Sequence, residues 1–408
     1  MNGARTRGQT AALDSIAAMV RGGAPSHAIL LVGPEGVGKT TLALDLAAGL
    51  LCEAEPGARP CRACRACRMV ESDGHPDLHR LGPSGPGGQV VIGGPDARYR
   101  GIRDVITELA LLPVEGRARV AIVEGADRMN EDAQSALLKT LEEPPGGVVI
   151  VLCADQEMRL LPTVRSRCAR IRLGLVGSRD IEAIVGYHDL ADPPMAARLG
   201  RLAAGRPGLA LAYARAPEAV LIRAELSRVL LDLTGAGPAA RLAAVRAAIP
   251  RAIALSTALA GEERPAGART TRRRGGVANA GTGTAAVAGP AATAGTADPD
   301  DSTTDDAPDA PGRPVPASER RRAAEILIGR WTDVARDLAL VGGGGARSVR
   351  DPVMLEELAA TSTTLEPAAI SRFLDRASRG AELLANNVSP ELLLDSLALA
   401  WPRGRVIA

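Results

Sequence analysis

Between a short apolar run and an Ala/Leu-rich stretch lies Gly33-Pro34-Glu35-Gly36-Val37-Gly38-Lys39-Thr40, a complete G-x-x-x-x-G-K-[ST] loop. Such a loop requires a strand before it and a helix after it, and both are legible. Ala28–Val32 is apolar and bounded by Pro25 and Gly33, as a buried strand would be. Residues 40–51 are rich in Ala and Leu and read as a helix. The glycines let backbone N–H groups close around phosphate oxygens, and the helix N-terminus adds partial positive charge. Lys39 would reach the β/γ phosphates and Thr40 would offer its hydroxyl to Mg2+. Only two of the 49 basic residues are lysines, Lys39 and Lys139. A general bias toward arginine explains the composition. It also makes Lys39 informative, because a planar guanidinium cannot fill the lysine's role in this loop.

The rest of the first half repeats the alternation. Arg119–Val123 and residues 148–152 read as buried strands, and residues 5–22, 102–112 and 131–141 as helices. Strands alternating with helices predict an α/β fold, a parallel sheet with helices on both faces. Residues 72–98 carry many Gly and Pro and read as irregular. From Ser178 strand signals fade, and residues 178–214, 217–260 and 318–402 carry helical Leu and Ala periodicity. Residues 262–317 are a different polymer of Gly, Ala, Thr, Pro and Asp, with a basic run (Arg269, Arg272, Arg273, Arg274) before an acidic one. A segment with so little apolar surface is expected to be disordered. Helical signals resume after it, so it reads as an insertion within one helical domain. The expected domains are 1–175 (nucleotide-binding), 176–216 (small helical lid) and 217–408 (helical, with the insertion).

Charge and aromatics exclude some classes. Basic and acidic residues balance to +2, so no global charge announces nucleic acid. The six aromatics, Tyr99, Tyr187, Tyr213, Trp331, Phe373 and Trp401, are scattered, which disfavours a base-stacking platform. No uninterrupted apolar run reaches the ~18 residues of a membrane span, and no secretory signal is visible at the N-terminus, so a soluble cytoplasmic protein is expected.

A P-loop ATPase needs an acid for Mg2+ after its second motif strand and usually a base to orient water. Here the strand is followed by Glu124 and Gly125. Glu124 would serve the Mg2+ shell, while Gly125 cannot orient water. Asp127 reads best as an N-cap for the next helix. The expected nucleotide set is Gly33, Gly36, Gly38, Lys39, Thr40, Thr41 and Glu124, binding ATP with Mg2+ and cleaving it weakly or not at all.

Cys52, Cys61, Cys64 and Cys67 form C-x8-C-x2-C-x2-C. Four thiolates at this spacing most simply make a closed, structural Zn2+ site. A disulfide pair and an iron–sulfur cluster compete with that reading, and His75 and His79 are nearby substitute ligands. Cys153 and Cys168 are isolated and read as buried small apolar residues.

These pieces together resemble the bacterial DNA polymerase III clamp-loader subunits of the AAA+ class. The resemblance is carried by His27-Ala28-Ile29-Leu30-Leu31-Val32-Gly33-Pro34, the four-cysteine module, His75-Pro76-Asp77 and Glu124-Gly125-Ala126-Asp127-Arg128-Met129-Asn130. Ala136-Leu137-Leu138-Lys139-Thr140-Leu141-Glu142-Glu143-Pro144 and Ser166-Arg167-Cys168 follow in family order. Asn387-Val388-Ser389-Pro390-Glu391-Leu392-Leu393-Leu394 looks like the family's collar ending, which makes 217–408 a collar domain. The resemblance implies a hetero-pentameric ring with gamma/tau and delta subunits, loading a sliding clamp onto primed DNA with ATP held between neighbours. It implies that Arg167 is an arginine finger reaching a neighbour's γ-phosphate. Within the family, the missing base at Gly125, the strand ending Leu152-Cys153-Ala154-Asp155, and Gly208 where the motor's lid arginine aligns all favour a delta-prime-type, non-motor subunit. The intact phosphate loop dissents. The alternatives are an ATP-hydrolysing gamma/tau-type motor or an unrelated P-loop nucleotide enzyme. Lys139, with Glu142 and Glu143 at i+3 and i+4, reads as a weak surface ion pair.

Overall fold

The computed structural model describes residues 3–23, 25–95, 97–115, 117–260, 316–385 and 388–404. In the first half α1 (Thr10–Gly22), β1 (Ala28–Val32), α2 (Lys39–Leu51), α3 (Arg65–Glu71), β2 (Leu78–Leu81) and α4 (Ile102–Leu109) come first. They are followed by β3 (Arg119–Val123), α5 (Glu131–Glu142), β4 (Val148–Ala154), α6 (Pro162–Arg165) and β5 (Ala169–Arg172). The strands form one parallel sheet in the order β2-β3-β4-β1-β5.

Side chains alternate across this sheet. Ile29, Leu31, Val120, Ile122, Val149 and Val151 pack with α1 and α2 on one face. Ala28, Leu30, Ala121, Val123, Ile150 and Leu152 pack with α4 and α5 on the other. Strands buried on both faces read as continuous apolar runs, which is why β1, β3 and β4 are visible in the sequence. β2 and β5 are the two edges and escape that reading. β2 buries only Leu78 and Leu81 at its ends, and β5 buries only Ile171.

Several boundaries differ from expectation for local reasons. α1 starts at Thr10 rather than residue 5, because Gly8 takes φ +70° and the backbone N–H groups of Arg5 and Thr6 are committed to Asp45. α4 stops three residues early. Arg119 draws the carbonyls of Glu108 (2.5 Å) and Leu112 (3.0 Å) out of the helical path. β4 runs two residues further than expected, to Ala154.

Among the described residues from Val176 onward all regular elements are helices: α7 (Ser178–Tyr187), α8 (Pro193–Leu202), α9 (Pro207–Arg215), α10 (Pro217–Asp232), α11 (Pro238–Ala260), α12 (Ala317–Gly342), α13 (Leu355–Ser362), α14 (Pro367–Ala385) and α15 (Pro390–Ala400). They share one apolar core running from Val176 to Trp401. Trp331, Phe373 and Trp401, distant in sequence, meet there edge to face, Phe373 and Trp401 with centroids 4.7 Å apart. The segment expected to be disordered lies outside the described residues, except for its last two positions, and Ala317 already opens α12. Among the described residues α11 alone has the length and mean hydropathy of a bilayer span. It also carries Pro250 and three arginines. Arg241 is fully buried on the carbonyls of Ala236 and Trp401, and Arg246 and Arg251 pair with Asp395 and Glu225.

Candidate nucleotide and metal sites

The phosphate loop joins β1 to α2 at the C-terminal edge of the sheet, beside the end of β4, where the Gly33 N–H donates to Ala154 O at 3.2 Å. Gly36 and Gly38 take φ of +77° and +100°, the left-handed conformation that the loop's turn demands and glycine provides cheaply. Lys39 lies almost wholly inside the loop. Its Nζ donates to the carbonyls of Gly33 (2.7 Å) and Pro34 (2.9 Å) and pairs with Asp155 Oδ1 at 2.6 Å. Thr40 Oγ1 donates to Glu124 Oε2 at 3.4 Å, so the two expected Mg2+ partners stand together. Glu124 is already engaged, however. Arg80, from β2, donates to Glu124 Oε1 through Nε (3.1 Å) and Nη2 (2.6 Å). Thr41 follows, half-buried on α2.

The mouth of the loop is covered. The N-terminus of α9 rests on it: the Gly208 N–H donates to Gly36 O at 2.8 Å, and a Cβ on Gly208 would lie 3.2 Å from both Cα and O of Gly36. A side chain at position 208 would therefore have to push the Gly36 backbone aside by a few tenths of an ångström. Gly125 sits at φ +59° with Pro83 against it. Asp127 is not the expected helix cap. Asn130 caps α5, accepting from the Ala133 N–H at 3.0 Å. Asp127 instead accepts from the backbone N–H groups of Asp155 (3.1 Å) and Gln156 (3.3 Å), fixing the segment that carries Asp155 to Lys39.

The second constellation is the cysteine module. Cys52 ends α2, Cys64 caps α3, Cys67 lies on α3, and Cys61 lies in the turn between. Their four Sγ atoms all fall within 4.8 Å of one another. Tetrahedral Zn2+ with Zn–S near ~2.3 Å needs sulfurs about 3.8 Å apart. Cys52 and Cys64 are already 3.9 Å apart, so the set fits with little movement. Backbone N–H groups of Cys61, Cys64 and Cys67 point at the sulfurs of Cys52, Cys61 and Cys64 at 3.3–3.4 Å, as thiolates require. The backbone N–H groups of Ala63 and Cys64 hold Cys61 down to about 6, whereas burial pushes Cys52 and Cys67 up. All four cysteines are free, which removes the disulfide reading, and His75 and His79 are not in the cluster. His79 instead pairs with Glu108 at 2.9 Å, and burial lowers the affinity of both histidines for a proton. Cys153 and Cys168 are buried, as expected, with burial raising them to about 12 and about 11.

Residues 8–176 match the family described as DNA polymerase III, delta subunit. The chain is 38% identical over 153 residues to DNA polymerase III subunit delta' of Pseudomonas aeruginosa, covering 38% of this chain and 44% of that one. Residues 8–176 are thus similar to bacterial clamp-loader subunits. The corresponding protein of Bacillus subtilis is 33% identical over 177 residues, covering 43% of this chain and 50% of its own. DNA polymerase III subunit tau of Salmonella typhimurium is 31% identical over 196 residues, covering 47% and 29%. The chain thus spans half or less of the curated relatives it matches. A DNA polymerase III gamma subunit-related protein of Thermotoga maritima aligns over 95% of this chain and 97% of its own with 16% identity and a TM-score of 0.36.

Elsewhere in this α/β domain, Arg167 follows α6 and folds back on its own chain. It donates to Thr163 O at 2.9 Å and pairs with Glu142 at 2.5 Å, so it engages no group of its own phosphate loop. That pairing takes Glu142, one of the two glutamates expected for Lys139, which is exposed and shows no ion pair among the described residues. The clamp-loader sequence motifs do not reveal Arg80 or the latch of Asp155 on Lys39. Asp155 carried a signal, since it directly follows a strand adjacent to β1. Arg80 carried none, being one of the many arginines of this chain and lying in a stretch read as irregular. His75-Pro76-Asp77 proves structural: the fully buried Asp77 accepts from the N–H groups of Val114 (2.7 Å) and Glu115 (2.9 Å).

Proposed function

We propose that this chain is a delta-prime-type, non-motor subunit of a DNA polymerase III clamp loader. In this reading it is a cytoplasmic protein in a hetero-pentameric ring with gamma/tau and delta subunits, and the ring places a sliding clamp on primed DNA. Its nucleotide-binding (1–175), lid (176–216) and collar (217–408) domains serve that ring. One observation carries the non-motor assignment: Lys39 and Glu124 hold Asp155 and Arg80. An ATP site that turns over must keep its lysine for phosphate and its acid for metal. Here each has an internal partner, and Gly125 offers no base for water. Gly33, Gly36, Gly38, Lys39, Thr40, Thr41 and Glu124 would still frame Mg2+–ATP if those partners yielded. Cys52, Cys61, Cys64 and Cys67 would hold Zn2+ as a staple with no catalytic part.

The chain's contribution to catalysis is then outward. Arg167 would leave Glu142 and present its guanidinium to the γ-phosphate of ATP on an adjoining subunit, stabilising transition-state charge. Both Arg167 and Glu142 are partly exposed, so the exchange costs little. The test is steady-state ATP turnover by the purified chain alone, with and without primed DNA. Turnover far below the ~1–1000 s⁻¹ of ordinary enzymes is expected. Turnover within that range would reject the reading in favour of a motor.

A further inference from the structure

Where the turn before α9 meets α10 and α12, arginines converge without enough acids to balance them. Arg206 precedes α9, Arg223 lies on α10, Arg330 on α12, and Arg350 on the segment before α13. They are close enough for mutual repulsion: Arg330 acts on each of the other three. Arg223 and Arg330 are 3% and 7% exposed. Three carboxylates serve its inner part. Asp333 pairs with Arg330 and Arg350 and lies 3.6 Å from Arg223. Asp351 is gripped by Arg198 through Nε (3.1 Å) and Nη2 (3.0 Å) and lies 3.8 Å from Arg223. Asp337 accepts from the Arg350 N–H (3.2 Å) and from the partly exposed Arg336 (3.0 Å). Glu35, on the phosphate loop, also acts on Arg206, so even without Arg336 five guanidinium groups (Arg198, Arg206, Arg223, Arg330, Arg350) stand against four carboxylates, an excess of one positive charge. Two donor atoms, Nε of Arg223 and Nη1 of Arg330, are buried with no acceptor.

A lysine cluster could relieve such an excess by shedding protons. Arginine cannot. Burial lowers Arg223 and Arg350 only to about 10, so both remain charged at neutral pH. Buried charge left unpaired is costly, and the remaining remedy is an anion from outside. Guanidinium groups arriving from four segments call for several acceptor oxygens on one negatively charged centre. A planar carboxylate offers too few directions, and a tetrahedral phosphoryl group matches.

We propose that Arg206, Arg223, Arg330 and Arg350 bind a phosphoryl oxyanion at the junction of α9, α10 and α12. Arg350 and Arg198, each with side chains 23% exposed, form its rim. Arg206 links it to the phosphate loop, since a Cβ on Gly36 would lie 3.5 Å from that of Arg206. The group can therefore come from free phosphate or from the tail of a nucleotide.

The probe is inorganic phosphate, titrated calorimetrically into the full chain at ionic strength matched with KCl. Saturable binding of one phosphate per chain is expected. Arg350→Gln and Arg223→Met should each weaken it at least tenfold, and Lys39→Ala should leave it unchanged. Arg350→Gln, at the solvent rim, carries the test if Arg223→Met fails to fold. In a second arm ATP is added to the phosphate-loaded protein. Displacement of phosphate identifies a nucleotide tail as the source and co-binding identifies free phosphate, and either supports the site. No saturable binding beyond the chloride control overturns the proposal. So does binding lost in Lys39→Ala but retained in Arg350→Gln, which would place phosphate on the loop alone.

Discussion

Arg80 is the residue on which the character of the nucleotide site turns. It sits on Glu124, the acid expected to serve Mg2+, with both side chains mostly shielded from solvent, so the pair is not dismissed by screening. Replacing Arg80 with Met should free Glu124 and raise the Mg2+-dependent part of ATP affinity roughly tenfold, about 1.4 kcal/mol. Fluorescent-nucleotide titrations with and without Mg2+ read this out, and an unchanged Mg2+ dependence would contradict the pairing's importance. The P-loop residues themselves were legible, because spacing alone defines them. Their partners were not. Arg80 is 44 residues from Glu124 and Asp155 is 116 from Lys39, and only the parallel packing of β2, β3, β4 and β1 brings them together. With arginine so common in this chain, residue type also ceases to be a signal. That hid Arg80, and it equally hid Arg223 and Arg330 among the helical repeats.

At the scale of elements, two contacts organise the site. The first is α9 against the phosphate loop. Gly208→Ala places a methyl at 3.2 Å from the Gly36 backbone and should destabilise by about 1–3 kcal/mol. Denaturant unfolding checks the loss, and hydrogen exchange should show the phosphate loop opening first. The second is the cysteine module, which α2 and α3 share. It is fastened further by Asp45, buried on α2, which takes the Arg62 side chain and the Arg5 and Thr6 backbone. Chelation should release one Zn2+ per chain and loosen this whole corner, since structural metal binding is folding free energy. A midpoint drop of several degrees is expected, at ~2–4 °C per kcal/mol for a domain of this size. Release of no metal, or an unchanged midpoint, would remove the structural role. Central strands and long helices were readable here because burial on both faces or one stripe leaves a periodic trace. The edge strands left none, β5 being Ala-Arg-Ile-Arg with only Ile171 inward.

For the whole molecule, the α/β first half and helical second half follow from where apolar periodicity changes near residue 176. The sequence did not foretell that α7 to α15 would share one continuous core. That core depends on Trp331, Phe373 and Trp401 meeting from three distant helices or turns. It joins α9, which rests on the phosphate loop, to the helices that follow it. The central claim is that this chain serves ATP hydrolysis from outside, by Arg167, and not from its own loop. It is tested by ATP turnover in a reconstituted clamp loader carrying either Lys39→Ala or Arg167→Ala in this subunit alone. The account predicts that the Lys39 variant keeps near-normal turnover, while the Arg167 variant assembles but loses turnover at one neighbouring site, on the order of 10³-fold there. Loss of turnover with Lys39→Ala and normal turnover with Arg167→Ala would contradict it.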